Sequence, residues 1–178
     1  MNNPPSIATP RFTLRPLRRS DAAALLPTLA DPAQCRFLSR PAFASEEELW
    51  GWLADPDWDG RTWIAEDAQG AVAGRFVAMP AHEDGVAEIG YITCGHRQGE
   101  GIARECTAAL VDHLFGEGKR KLVAEVDARN TASIRLLERL GFTREALLRE
   151  HETTHEGLCD VALYGLLASD PRPGPARA

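Results

Sequence analysis

The feature that most constrains this chain lies at residues 86–127, where a strand, a glycine turn, a helix and a second strand follow one another. "VAEIGYITC" (86–94) reads as a strand and runs into "GHRQGEGIARECTAALVDHLF". There Ile102, Cys106, Ala109, Leu110 and His113 recur at helical spacing. Gly116 and Gly118 stop that helix, and "KLVAEVD" (121–127) is a short apolar strand. The result is one β-α-β crossover, and every other element has to fit around it.

Those other elements read mostly as antiparallel hairpins. "RTWIAED" and "AVAGRFVAMP" flank "DAQG" as a hairpin, and "TREALLREHE" and "CDVALYGLL" close the domain as two β-like runs. At the other end, "RFTLRPL" (11–17) alternates as a half-buried strand. "SDAAALLPTLAD" is a helix capped by Ser20 or Asp21, which Pro27 should kink or end. "SEEELWGWLA" (45–54) opens on a capping box, Ser45 with Glu48, and its Trp50 and Trp52 either line a pocket or pack the core. "NTASIRLLERLGF" is a helix ended by Gly141. The order β-α-α-β-β-β-α-β-α-β-β gives an α/β class (α+β in some schemes). We expect one domain over 9–168, with a flexible Pro-rich tail at 169–178.

Composition narrows the setting. A chain of 178 residues with 44% hydrophobic and 26% charged residues suits one globular core. A net charge of −6 argues against nucleic acid as a main partner, because phosphate binding wants a basic face. The four cysteines are irregularly spaced without C-x-x-C, the usage of a reducing compartment. No secretion signal and no apolar run of membrane-spanning length are visible, so a cytoplasmic protein without membrane association is expected.

Chemistry concentrates in "QGEGIA", Gln98 to Ala103, between strand and helix. Gly99 and Gly101 let backbone approach a ligand, and a helix start aims unpaired N–H groups and the positive end of its dipole there. That is an anion site. It is neither a Walker loop, lacking Gly-Lys-Ser/Thr, nor a dinucleotide fingerprint, lacking the third glycine.

Q-x-x-G-x-A after a strand, followed by N-x-x-S and L-G-F in that order, resembles the GNAT superfamily of acetyl-CoA-dependent N-acetyltransferases. The runs "AEIGYITCGHRQGEGIARECTAALVDHLF" and "VDARNTASIRLLERLGF" look like its RimJ/RimL branch, whose members acetylate protein N-terminal and other amines. The resemblance spans roughly residues 9 to 167 and implies a single mixed, mostly antiparallel sheet with flanking helices. It also implies that strands 86–94 and 121–127 start paired and splay apart. Pantetheine of the co-substrate acetyl-CoA would then lie in the gap against backbone of Ile92, Thr93 and Cys94. The pyrophosphate would sit on the amides of Gln98, Gly99, Glu100, Gly101, Ile102 and Ala103. Asn130 matches a pantetheine contact; as an asparagine at a helix start it also suits an N-cap, and the two roles are compatible. The partner implied is an amine acceptor, protein N-terminus or small molecule, and a homodimer stays open.

The same resemblance supplies acid–base candidates. Glu152 matches the proposed base of the RimL type, Glu88 of "AEIGY" matches the base of other branches, and Glu152 is preferred. Leu137 stands where many relatives carry a tyrosine donor, a departure from the pattern, and Ser133 of "NTAS" matches the donor to the departing thiolate proposed for the RimL type and a cofactor contact. The implied chemistry is direct transfer, with backbone N–H of the 86–94 strand steadying the oxyanion.

Three competing readings remain. "HETTHEG" (151–157) matches H-E-x-x-H, which holds zinc only on a helix; Thr153, Thr154 and Gly157 argue against one, and no metal is expected. Cys94 or Cys106 as an acyl carrier lacks a positioned histidine. A non-catalytic acyl-CoA sensor on the same fold is the alternative of a different class.

Overall fold

The computed structural model describes residues 4–172. Its elements run β1 (Ile7–Ala8), β2 (Phe12–Pro16), α1 (Asp21–Leu29), α2 (Pro32–Cys35), α3 (Glu46–Leu53), β3 (Arg61–Asp67) and β4 (Val72–Pro80). Then come β5 (Val86–Thr93), α4 (Ile102–Gly116), β6 (Lys121–Asp127), α5 (Thr131–Arg139), β7 (Thr143–Thr154) and β8 (Gly157–Leu167). The described strands form one sheet in the order β1-β2-β3-β4-β5-β6-β8-β7. Every pairing is antiparallel except β5–β6, the pair joined by the crossover helix.

Alternation along the strands splits the interior into two layers. Phe76 and Ala78 of β4, with Ala87 and Ile89 of β5, pack under α4 against Ile102, Cys106, Leu110 and Leu114. On the opposite face Ile64 and Cys94 meet Leu25 and Leu29 of α1 and Leu49 and Leu53 of α3. A buried ion pair ties the second layer together. Arg15 donates to Asp21 at 2.9 and 2.8 Å and to Glu66 at 2.6 Å.

Several local expectations change in detail. Pro27 lies within α1, which ends two residues later at Leu29; Ser20 makes no side-chain cap. In the capping box, Ser45 Oγ accepts from Glu48 N at 3.2 Å, but Glu48 reaches back to Ala44 N at 2.8 Å. The fold also begins before residue 9, because Ile7 and Ala8 pair with Leu14 and Thr13 and Pro5 O accepts from Trp63 Nε1. Of the expected tail, Asp170 accepts from Leu167 N and Arg172 pairs with Asp112, while 173–178 lie outside the described residues. Among the described residues, no helix is long and apolar enough to cross a membrane.

Candidate active site

Strands β5 and β6 pair only over Val86↔Lys121, Ala87↔Leu122 and Glu88↔Val123, then part. On its other edge β5 stays in register with β4 as far as Thr93. Cys94 N donates to Ala73 O at 2.9 Å and Ala81 N to Val86 O at 3.5 Å, which fixes the alternation. Even-numbered residues of β5 therefore turn their backbone groups to β4, and Ile89, Tyr91 and Thr93 turn theirs into the gap. Of Ile92, Thr93 and Cys94, Thr93 alone offers backbone to a ligand there. Gly74 lets the strands pass closely, since a Cβ on it would stand 2.4 Å from Ile92 O.

The gap opens onto the start of α4. No side chain caps that helix, so its first N–H groups have no partner within it. Gly99 and Gly101 adopt φ of +86° and +78°, the left-handed conformation that turns the chain into the helix. A Cβ on Gly99 would meet nothing and one on Gly101 only Arg11 Nη2 at 3.6 Å, so backbone conformation rather than crowding calls for glycine. Arg11 braces the turn from outside, donating to Glu100 O at 2.9 Å and Glu105 Oε2 at 2.7 Å. Gln98, Gly99, Gly101, Ile102 and Ala103 line one cavity of about 1080 Å³, together with Ile92, Thr93, Asn130 and Ser133. Glu100 and Cys94 do not line it: Glu100 turns outward to Arg97, and the Cys94 thiol approaches Val72 O.

Across the gap, Asn130 caps α5, its Oδ1 accepting from Ser133 N at 3.1 Å. Ser133 Oγ lies 2.7 Å from the Tyr91 hydroxyl. Burial pushes the Tyr91 phenol up to about 12, against the Ser133 hydrogen bond, which lowers it. Tyr91 thus supplies from β5 a phenol next to Ser133, whereas Leu137 is fully buried in the core. Sequence reasoning missed Tyr91; its place on the gap side of β5 was the available signal.

The carboxylates separate by burial. Glu88, at the last paired rung before the splay, is half-buried, and desolvation raises its carboxyl above the ordinary range, with Glu125 and Glu152 adding to the rise. Glu125 lines the cavity. Glu152 is exposed on β7, opposite Cys159 of β8. His151 shares that strand and His155 lies in the turn after it, so the H-E-x-x-H pattern is strand and turn rather than helix. Among the described residues no group of three or more His, Cys, Asp or Glu gathers as metal ligands do. The Cys94 and Cys106 thiols are both buried, and burial raises both, Cys106 to about 12. Neither is suited to nucleophilic attack as a thiolate.

The far end of the cavity is built from α3, the loop after it and β4. Trp52, Trp58 and Arg75 line it. Trp50 packs beside the second layer instead, under the Arg19 guanidinium at 5.3 Å. Arg75 is 7% exposed, and its removal from water lowers its guanidinium to about 10, still protonated at neutral pH.

Residues 11–143 match the acetyltransferase (GNAT) domain. Over 170 residues the chain is 29% identical to "uncharacterized N-acetyltransferase p20" of Bacillus licheniformis, across 91% of this chain and 96% of that protein. It is 27% identical over 173 residues to phosphinothricin N-acetyltransferase of Streptomyces viridochromogenes, across 90% and 91%. Among solved structures, spermidine N-acetyltransferase from Vibrio cholerae in complex with CoA and spermine superposes with a TM-score of 0.78. That likeness, at 24% identity across 90% and 97% of the two chains, is one of fold.

Proposed function

Because the chain belongs to the GNAT acetyltransferase family, whose members use acetyl-CoA, we propose that it moves an acetyl group directly from acetyl-CoA to a primary amine. The acceptor class is a small amine or a protein N-terminus, in the manner of the RimJ/RimL-like branch. The observation that carries this reading is the splay of β5 from β6 beyond Glu88, opening at the uncapped start of α4. Pyrophosphate fits the free N–H groups of that helix start. The pantetheine arm fits the unpaired backbone of Thr93 and Tyr91, with the Asn130 side chain on the opposite wall.

The chain's own groups then divide the proton work. Glu88 takes a proton from the acceptor ammonium, leaving the nitrogen lone pair free to attack the thioester carbonyl. Its burial and its place at the splay support it ahead of the exposed Glu152. The N–H of Tyr91 or Ile89, facing the gap, steadies charge on the carbonyl oxygen. As the carbon–sulfur bond breaks, Ser133 Oγ–H gives a proton to the leaving thiolate and is resupplied by the Tyr91 hydroxyl 2.7 Å away, and the second proton lost by the attacking nitrogen returns to this pair and restores the phenol. The products are an acetamide and free CoA thiol. A cytoplasmic setting belongs to the same proposal, in keeping with four free cysteines.

The test is a panel of primary amines with acetyl-CoA, read as thiol release and as acetamide by mass spectrometry. One thiol per acetamide is expected for at least one amine. Acetyl-CoA that raises the melting temperature but never releases thiol would leave the sensor reading standing instead.

A further inference from the structure

Two arginines are buried in the described structure, and they are treated differently. Arg15, 6% exposed, lies against Asp21 and Glu66. Arg75, 7% exposed, has no carboxylate within ion-pair reach among the described residues. Its Nη2 donates to the Thr62 hydroxyl at 3.2 Å, and its Nε has no hydrogen-bond partner among the described residues. The guanidinium lies 4.4 Å from the Trp52 ring centre and 5.2 Å from that of Trp58. Stacking on indoles offsets part of the cost of burial but leaves the Nε–H unsatisfied. A buried cation with an idle donor and no carboxylate partner, in a cavity wall, is poised for an anion.

Register shows where that anion would sit relative to the chemistry. Arg75 pairs with Ile92, Val77 with Gly90 and Met79 with Glu88, so Arg75 and Glu88 share one face of the sheet with Gly90 midway. Gly90 keeps the floor low: a Cβ there would press on Val77 Cγ2 at 3.0 Å. Glu88 and Ile92 are four residues apart, ~13 Å along an extended strand, and both long side chains shorten that span. The pantetheine arm brings no anion to Arg75, and the pyrophosphate belongs at the helix start. The anion therefore comes with the acceptor.

Resting on the transferase reading above, we propose that the acceptor is a small amine that also carries a carboxylate, an amino acid or close analogue. Its carboxylate binds the Arg75 guanidinium between Trp52 and Trp58, and its amine points along the floor over Gly90 toward Glu88. An unpaired buried cation at that end equally disfavours a polyamine, and an ordinary protein N-terminus has no carboxylate to offer.

L-leucine and L-glutamine, each compared with its own amide, give matched acceptors that differ in the carboxylate. The amides have the less basic amine, and so the larger neutral fraction at pH 7; intrinsic reactivity favours them. Wild-type protein should nonetheless prefer at least one acid over its amide by ~10²-fold in kcat/KM, as a buried charge pair commands. Arg75→Gln should lose that preference while keeping the melting shift with acetyl-CoA. Arg75→Lys, which retains charge, should keep part of it and guards against a folding failure in the glutamine variant. Amides accepted as well as acids by wild type, or a preference intact in Arg75→Gln, would overturn the proposal while leaving the transferase reading in place. If no amine of either kind releases thiol, the transferase reading fails, and calorimetry with the same amino acids decides the site. Binding to wild type and not to Arg75→Gln supports it, and no binding overturns it.

Discussion

The two ends of the cavity are made of different material. At the α4 end, the ligand surface is backbone: the N–H groups of an uncapped helix start, two left-handed glycines and the unpaired edge of β5. At the β4 end it is side chain: Arg75, Trp52 and Trp58 from three separate segments; Glu88 lies outside this lining, on the same sheet face two residues along β5 from Gly90. A backbone site binds what every relative shares, because an anion on amides needs conformation and not particular side chains. A side-chain site can change its ligand by substitution without disturbing the fold. On the proposed reading the difference assigns cofactor binding to one end and acceptor choice to the other, and four sets of variants test how cleanly they separate.

The largest effect is expected at the acceptor end. Glu88→Gln should lower kcat/KM ~10²–10⁴-fold at neutral pH and leave acetyl-CoA binding unchanged. The deficit should shrink at high pH, where the amine is already neutral. Stability should move the other way. The folded carboxyl is raised, so its contribution is fully present below the unfolded value and lost as pH rises through the folded one. At neutral pH the charged group is a burden, and the glutamine variant should melt higher than wild type, while at acid pH that gain should vanish.

Next comes the cofactor end. Gly101→Val should weaken acetyl-CoA at least ~10-fold and cost ~1–3 kcal/mol of stability, from forcing a branched residue to φ +78°. Since a Cβ meets only Arg11 there, Gly101→Asn, which tolerates the left-handed region, should recover part of both losses. Failure of asparagine to rescue would mean that space rather than conformation matters.

Between the two ends, Tyr91→Phe and Ser133→Ala should each lower kcat by ~10-fold with the acetyl-CoA melting shift nearly intact. The two hydroxyls form one hydrogen-bonded pair, so the double variant should be no worse than the weaker single one. Additive losses would separate their roles. The smallest effect belongs to Glu152→Gln, within about threefold of wild type at pH 7. Its charge helps to raise Glu88, so removing it should move the acid limb of the rate profile to lower pH.

The same contrast governs what the sequence could reveal. The crossover, its helix and the glycine loop lie in one continuous stretch, and local periodicity and conformation marked them. The splay followed from the family resemblance and is seen after Glu88↔Val123. Arg75 gave no signal, because its distinction is what it lacks: a carboxylate that the other buried arginine has. Trp58 and Trp52 meet that side chain only once α3 and its following loop fold over β4. Tyr91 was hidden in a strand run, and its meaning depends on which strand edge loses its partner. The weighing of Glu152 over Glu88 rested on motif position, whereas burial, which distinguishes the two, is a property of the fold. Short elements escaped for a plainer reason: the two-residue β1 and four-residue α2 are too brief to show a period.

Whether Glu88 takes the acceptor's proton is decided by the pH dependence of kcat/KM for wild type and Glu88→Gln, measured on the same acceptor. Wild type should show an acid limb set by a carboxyl lying above the ordinary glutamate range, and Glu88→Gln should lack it, its rate simply following the neutral fraction of the amine. The same limb in both proteins, with little difference in rate at neutral pH, would remove Glu88 from the proton path.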